Sequence, residues 1–163
     1  MSSMTSWLRA PVVARWLGMA AGVLLMPFPA QAALGEHVST VQADAVQMRG
    51  ALMRVERTSL YAVHEVRTAT GTVVREFVSP SGTVFAVAWQ GPWLPDLRQL
   101  LGTHFEQYRQ AAQTAKADRS GRRPLLIETA GLIVELSGHP RAFVGRAYLT
   151  ALLPQGVRAD AIR

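Results

Sequence analysis

The chain has 163 residues, of which 49% are hydrophobic and 17% charged, and its formal net charge is +6. This composition is typical of one folded domain and excludes both a disordered polar chain and a bundle of membrane-spanning helices. Because the chain contains no cysteine, it has no disulfide, no thiol nucleophile and no zinc–thiolate centre.

The N-terminus has the three parts of a secretory signal peptide. Arg9 and Arg15 form its basic start, residues 16–26 form a short apolar run, and an Ala-Gln-Ala triplet ending at Ala32 supplies the cleavage site. The apolar run is shorter than the roughly 20 residues that a spanning helix needs. We therefore predict cleavage after this triplet, a periplasmic or secreted protein, and no transmembrane segment after cleavage. An uncleaved N-terminal anchor is the alternative.

Cleavage removes two arginines, so the mature chain is less basic than the full chain. Its basic residues are almost all arginines scattered along the sequence, with one cluster at Arg119, Arg122 and Arg123. Nucleic-acid binding needs a concentrated basic stripe, and we predict no nucleic-acid partner. The charge is better explained by solubility or by weak affinity for an anionic surface.

A first helix is predicted from Thr40 to Arg54. Ser39 and Gln42 have the spacing of a capping box. Apolar residues then recur at helical spacing, at Val41, Ala45, Met48, Leu52 and Val55.

The middle of the chain, from Leu60 to Trp89, predicts three antiparallel strands joined by two turns. A two-residue first loop would place Glu65 opposite Glu76. A three-residue loop instead pairs Glu65 with Arg75 and His64 with Glu76. Like charges directly opposite each other are destabilising, which favours the three-residue loop.

The second turn, Ser79 to Gly82, has the proline and glycine of another three-residue hairpin loop. This loop places Phe77 opposite Phe85 and Val73 opposite Trp89. The two faces of the meander then differ in kind. One face carries mostly small side chains, at Leu60, Ala62, His64, Val66, Val74, Glu76, Val78, Val84, Ala86 and Ala88. The other carries aromatic and long charged side chains, at Tyr61, Val63, Glu65, Arg67, Val73, Arg75, Phe77, Phe85, Val87 and Trp89.

The rest of the chain predicts a second helix and a second hairpin. Apolar residues at helical spacing indicate a helix from Pro95 to Thr114. Two β-rich runs follow, 125–136 and 142–152, with Gly131 marking a bulge or a short turn inside the first. We therefore expect one α+β domain over residues 33–163. Its antiparallel sheet has about five strands, in the order helix, three-strand meander, helix, two-strand hairpin, with both helices on one face.

Several segments resemble the Domain of Unknown Function 2844 family. They are 33–35, 73–82, 84–92, 94–97 and 141–148. The resemblance covers essentially the whole mature chain and implies a small exported bacterial protein with no established activity, so it transfers no functional residues. The stretch from Tyr61 to Val84 is also similar to the hairpins of PepSY domains, which are linked with inhibiting or escorting exported peptidases.

His64 and Glu76 are the best candidates for acid–base chemistry, because a carboxylate opposite a histidine raises its pKa. They define the alternative function, a hydrolase-like enzyme. The structural interpretation, a cross-strand ionic pair on a half-buried face, is favoured. No dinucleotide, phosphate-loop or zinc-hydrolase motif occurs, and we predict no cofactor and no metal site.

The aromatic face is the preferred candidate for binding. An exposed aromatic patch rimmed by charged residues marks a partner or ligand site, whereas a covered one is ordinary core. We expect a non-enzymatic binding or accessory module of the cell envelope, whose partner is an envelope protein, a peptide or an anionic surface. The predicted binding residues are Tyr61, Arg75, Phe77, Phe85, Trp89 and Trp93.

Overall fold

The computed structural model describes residues 34–38, 51–117 and 124–163. At its centre is one seven-stranded antiparallel sheet with the strand order β1-β2-β3-β4-β7-β6-β5. The strands are β1 (Ala51–Arg57), β2 (Ala62–Arg67), β3 (Val73–Val78), β4 (Val84–Gly91), β5 (Leu125–Thr129), β6 (Leu132–His139) and β7 (Ala142–Leu149). The helical segments are α1 (Leu97–Leu101), a 3-10 turn (Gly102–His104) and α2 (Phe105–Ala117), with further 3-10 turns at Thr150–Leu152 and Ala159–Ala161.

The prediction of an α+β fold with about five strands and two separate helices on one face is wrong, because the chain is mainly β. The sheet has seven strands, and among the described residues α-helix occurs only between β4 and β5. One added strand comes from residues 51–57, where the predicted first helix was to end. Leu52 pairs with Val66 and Val55 with His64 on β2, so a backbone ladder overrides the helical spacing of the apolar residues. The rest of that predicted helix, including its Ser39 cap, lies outside the described residues.

The second added strand comes from a tight turn at Gly131. Its φ of 84° is one that glycine adopts at no steric cost. The chain reverses there, and Thr129 pairs directly with Leu132. Of the two predicted possibilities at Gly131, a bulge or a short turn, the structure shows the turn, and the apolar run 125–136 is divided between β5 and β6.

The first turn of the meander has the predicted register. Glu65 lies opposite Arg75 and His64 opposite Glu76. The backbone N–H of Thr68 donates to the carbonyl of Thr72 at 2.8 Å and closes the three-residue loop. Charge complementarity was therefore a valid guide to the pairing of β2 with β3.

The second turn forms as predicted, but the strand pairing beyond it does not. Gly82 has a φ of 83°, and Val78 lies opposite Val84. The register then shifts by one residue, so that Phe77 faces Ala86 and Val74 faces Trp89. The predicted pairs of Phe77 with Phe85 and Val73 with Trp89 are wrong, because Phe85 is the extra residue of a β-bulge.

The helices cover one face of the sheet, here called the helix face. Asp96 begins α1, because its carboxylate accepts from the backbone N–H groups of Arg98 at 2.9 Å and Gln99 at 3.4 Å. Buried residues of α1 join strand residues in the larger core cluster, which includes Leu97, Leu100, Leu101, Val74, Val78, Val87, Trp89, Leu132, Val134 and Leu149. None of the helices in the three described ranges has both the length and the hydropathy of a membrane span.

The C-terminal tail, residues 153–163, covers the opposite face, here called the tail face. A second core cluster lies there, built on Phe77, Phe85, Ala86, Ala88, Tyr148 and Ile162. Leu153, Val157 and Ala159 of the tail pack against it. The tail lies beyond the last predicted strand, yet Ile162 is fully buried. Both faces of the sheet therefore carry an apolar core.

Candidate functional site

A groove of about 460 Å³ opens on the tail face, between the end of the tail and strands β1 to β3. We call it the charged groove. Residues two apart on a strand point to the same side of a sheet. Each of the three strands therefore supplies two lining residues, and Tyr61 continues the same alternation just before β2. The lining residues are Arg54 and Glu56, Tyr61, Val63 and Glu65, Arg75 and Phe77, with Ala161 and Arg163 from the tail.

Ion pairs form the rim of the charged groove. The Nε of Arg75 donates to Oε2 of Glu65 at 2.9 Å, and these side chains are 30% and 26% exposed. Arg54 and Glu56 pair at 2.6 Å but are far more exposed, so their pair contributes little to stability. Because the surrounding atoms restrict side chains that are partly buried, Arg75 and Glu65 are held in a more fixed orientation than Arg54 and Glu56. The groove thus presents both signs of charge within one opening.

Aromatic rings form the floor of the charged groove. The ring centroid of Tyr61 lies 5.7 Å from that of Phe77 and 6.0 Å from that of Phe85, the latter in an edge-on arrangement. Tyr61 is only half-buried, whereas the two phenylalanines belong to the core. Tyr61 is therefore the ring that connects the groove to the core beneath it.

The turn before β2 holds Tyr61 in place. Thr58 closes this turn, because its hydroxyl accepts from the backbone N–H of Tyr61 at 3.0 Å. The same hydroxyl donates to the carbonyl of Tyr61 at 2.9 Å. A threonine in this position satisfies the backbone of a tight turn. The ring is thus positioned by the connection between β1 and β2.

The six predicted binding residues do not form one surface. Tyr61, Arg75 and Phe77 line the charged groove, and Phe85 lies buried beside them. The other two lie elsewhere. Trp89 belongs to the core of the helix face, and Trp93 is 60% exposed on the connector after β4.

The bulge at Phe85 explains the position of Trp89. Phe85 and Ala86 are consecutive residues that both belong to the cluster of the tail face. Beyond this bulge, each residue of β4 therefore points to the face opposite to the one that uninterrupted alternation predicts. Trp89 therefore points to the helix face, opposite Gly145 on β7. A Cβ atom added at Gly145 would collide with the indole ring. The indole Nε1 has no hydrogen-bond acceptor among the described residues.

His64 and Glu76 face each other as the sequence predicts, but in different surroundings. His64 lines a shallow cleft of about 380 Å³ together with Arg57, Ser59 and Ser79. Glu76 is completely buried and does not line this cleft. Burial lowers the pKa of His64 below its ordinary value, and the nearby guanidinium of Arg57 lowers it further. The direction is opposite to the one expected from a carboxylate neighbour.

Sequence reasoning missed four residues of the charged groove. Arg54 was predicted to end a helix and Glu56 was given no element, although apolar and charged residues alternate through residues 53–56, which is a strand signal. Ala161 and Arg163 lie beyond the last predicted strand, which was to end at residue 152. The apolar side chains of Val157 and Ile162 are the available signal that this tail packs on the domain. Among the described residues, no three histidine or carboxylate side chains are placed to hold a metal ion.

Comparison with known proteins identifies one family. No curated protein matches the chain, and no solved structure does. One family model matches residues 30–162, which is most of the chain and includes all seven strands. This confirms the resemblance seen in the sequence. The chain belongs to the family described as "Protein of unknown function (DUF2844)".

Proposed function

We propose that this protein is an exported binding or accessory module of the cell envelope, and that its ligand is a peptide segment held in the charged groove. The single observation that carries the proposal is the composition of that groove. A half-buried tyrosine forms part of its floor and an oriented Arg75–Glu65 pair stands at its rim. Aromatic floors with a few oriented polar groups are typical of ligand sites.

A peptide suits both features of the groove. Its apolar side chains have an aromatic surface to pack on, at the half-buried ring of Tyr61. Its backbone and terminal groups carry donors and acceptors of both kinds, which match the mixed charge of Arg75 and Glu65. A polyanion would match only the arginines and would be repelled by Glu56 and Glu65. A volume of about 460 Å³ accommodates a few residues at most.

Export is part of the proposal and is supported by the N-terminal sequence. The basic start, the short apolar run and the Ala-Gln-Ala triplet fit a signal peptide. Cleavage after Ala32 would leave one residue ahead of Leu34, which is buried in the domain core. The backbone N–H of Leu34 donates to the carbonyl of Leu100 at 3.0 Å. Leu34, two residues after the proposed cleavage site, is therefore already part of the described core.

The hydrolase-like alternative has weaker support. A general acid and its partner must both reach the substrate or each other through an accessible cleft. His64 lines such a cleft, but Glu76 does not. Loss of a hydrolytic activity from the purified protein on changing His64 to Gln would favour this alternative.

The test of the binding proposal is a charge swap. Peptides are first selected from a random display library for binding to the unaltered chain. Their affinity is then measured for the unaltered chain and for the double variant Glu65→Arg/Arg75→Glu. The swap keeps an ion pair across β2 and β3 but reverses its polarity, so folding is retained while an oriented ligand is lost. We expect affinity to fall at least 10-fold. The matched control, Glu106→Arg/Arg109→Glu, reverses an ion pair on α2 and should leave affinity unchanged. Equal affinity for all three proteins would overturn the proposal.

A further inference from the structure

The last seven residues, Val157 to Arg163, are held on the tail face without joining the sheet. We call these residues the strap. They contain one 3-10 turn, Ala159–Ala161, and their backbone hydrogen bonds are local, such as that from Ala161 to Arg158 at 3.0 Å. The strap therefore adds no backbone ladder to the domain. It is held by side chains.

One apolar anchor holds the strap. Ile162 is fully buried in the cluster of the tail face, although it is the penultimate residue of the chain. Val157 and Ala159 pack against the same cluster but keep part of their surface exposed. Chain ends are poorly ordered unless something ties them down, and Ile162 is the residue whose burial does so.

One polar anchor holds the strap. The Nη1 of Arg146 donates to the carbonyl of Ala159 at 2.6 Å and to that of Ile162 at 3.4 Å. Within the described residues, the other hydrogen bond that leaves the strap is local, from the backbone N–H of Val157 to the carbonyl of Pro154 at 3.0 Å. Both acceptors of Arg146 are backbone carbonyls. Any peptide with an apolar residue in the position of Ile162 could present the same groups.

Two open spaces lie against the strap. Arg163 lines both the charged groove and a second cavity of about 240 Å³. Arg75 lines both spaces, and the second is also lined by Arg146 and Ile162. Because the two spaces share Arg75 and Arg163, they adjoin each other beside the strap, and we call them, together with the surface beneath Ile162, the trough.

We propose that the strap is a displaceable closure over a peptide-binding trough, and that the trough recognises the C-terminal sequence of this chain itself. The aliphatic side chain of Ile162 and the carbonyls that Arg146 binds are the recognised features. Gly156, with a φ of 88°, and Pro154 lie just before the strap, where a hinge must absorb the motion. Opening uncovers the aromatic cluster of Phe77, Phe85 and Tyr148.

This inference does not depend on a partner binding to the charged groove, because its test uses only the chain's own tail. A strap tethered in place competes with free peptide at an effective concentration of about millimolar. Free tail peptide should thus bind the unaltered chain weakly. Weakening the tethered strap should make the same peptide bind more tightly.

The experiment is a titration of the full chain with fluorescently labelled peptide Val-Arg-Ala-Asp-Ala-Ile-Arg, followed by anisotropy. The protein variant is Ile162→Asp, and the matched control is Gln155→Asp, which adds the same charge at an exposed position before the strap. We expect the peptide to bind the Ile162→Asp chain at least 10-fold more tightly than the unaltered chain or the control. A peptide with Asp in place of Ile should bind none of them. A folded Ile162→Asp chain with no gain in affinity, or equal binding of both peptides, overturns the proposal.

A second experiment tests the proposal without the Ile162→Asp variant, in case that variant does not fold. A specific protease site is inserted between Gln155 and Gly156 of the otherwise unaltered chain and cut after folding. The proposal predicts that the released segment exchanges with labelled peptide while circular dichroism remains native. A cut chain that loses its strap and does not take up the peptide contradicts it.

Discussion

Arg146 and Glu135 form a cross-strand pair on the tail face, in which Nη2 of Arg146 donates to Oε1 of Glu135 at 2.7 Å. The two residues lie directly opposite each other on β7 and β6. The pair leaves Nη1 of the same guanidinium directed at the carbonyls of the tail. One arginine thus connects two strands of the sheet to the C-terminus, and it does so from a position that is three-quarters buried.

The first prediction concerns this arginine. Arg146→Ala removes hydrogen bonds from a charged donor, each worth about 1.5–3 kcal/mol, and leaves Glu135 without its cation. We expect the free energy of unfolding to fall by about 2–4 kcal/mol in urea titrations. Arg109→Ala, which breaks an exposed pair with Glu106 on α2, should cost about 0–1 kcal/mol. Equal losses in the two variants would show that Arg146 does not anchor the tail.

The second prediction concerns Trp89 and Gly145. A methyl group at position 145 would collide with the indole ring, so Gly145→Ala should lower the free energy of unfolding by about 1–3 kcal/mol or more. Replacing Trp89 with Phe shortens the ring and should relieve part of that cost. The measurement is a double-mutant cycle of unfolding free energies. Additive effects would contradict the close approach of ring and glycine.

The third prediction concerns the start of the mature chain. Leu34 is buried in the helix-face core, and Leu34→Ala should cost about 2–5 kcal/mol of unfolding free energy.

Protein recovered from the periplasm or medium should have the mass of residues 33–163. Recovery of only the full-length chain from the cell membrane would contradict cleavage after Ala32 and support the uncleaved anchor.

The fourth prediction concerns pH. The pKa of His64 is lower in the folded chain than its ordinary value of 6.5, so the unfolded chain binds more protons below about that pH. The stability that the chain gains from keeping His64 neutral is therefore fully present above pH 6.5. It is lost as the pH falls from 6.5 to the lower pKa of the folded chain. In urea titrations at about pH 7.5 and 5.5, the unaltered chain should lose more stability on acidification than His64→Gln. An equal or smaller loss in the unaltered chain would contradict this sign.

The sequence predicted the parts of the fold that depend on local chemistry. Loop length and charge complementarity placed Glu65 opposite Arg75, and a proline and a glycine placed the second turn. The bulge at Phe85 has no such local signal, because one extra residue in β4 is set by packing on both faces of the sheet. Because of this one extra residue, Trp89 lies in the core of the helix face and not on the predicted binding face.

The candidate site was only partly predictable for a related reason. Arg75 and Phe77 lie on β3 and Tyr61 directly precedes β2, and their common face follows from strand alternation. Arg54 and Glu56 reach the groove because β1 pairs with β2, which overrides a helical pattern of apolar residues. Arg163 lines the groove because its neighbour Ile162 is buried in the cluster of Phe85, more than 70 residues away along the chain. The apolar side chain of Ile162 indicates that it packs, but not which strands it packs on.

The most direct test of the proposed binding role is an NMR titration of the isotopically labelled full chain with a peptide selected on it. The account predicts that amide shifts concentrate at Arg54, Tyr61, Glu65 and Arg75, around the charged groove. The Glu65→Arg/Arg75→Glu chain should lose these shifts. Shifts that concentrate on α2 and the helix face, or that persist in the swapped variant, would contradict the claim that the charged groove is the binding site.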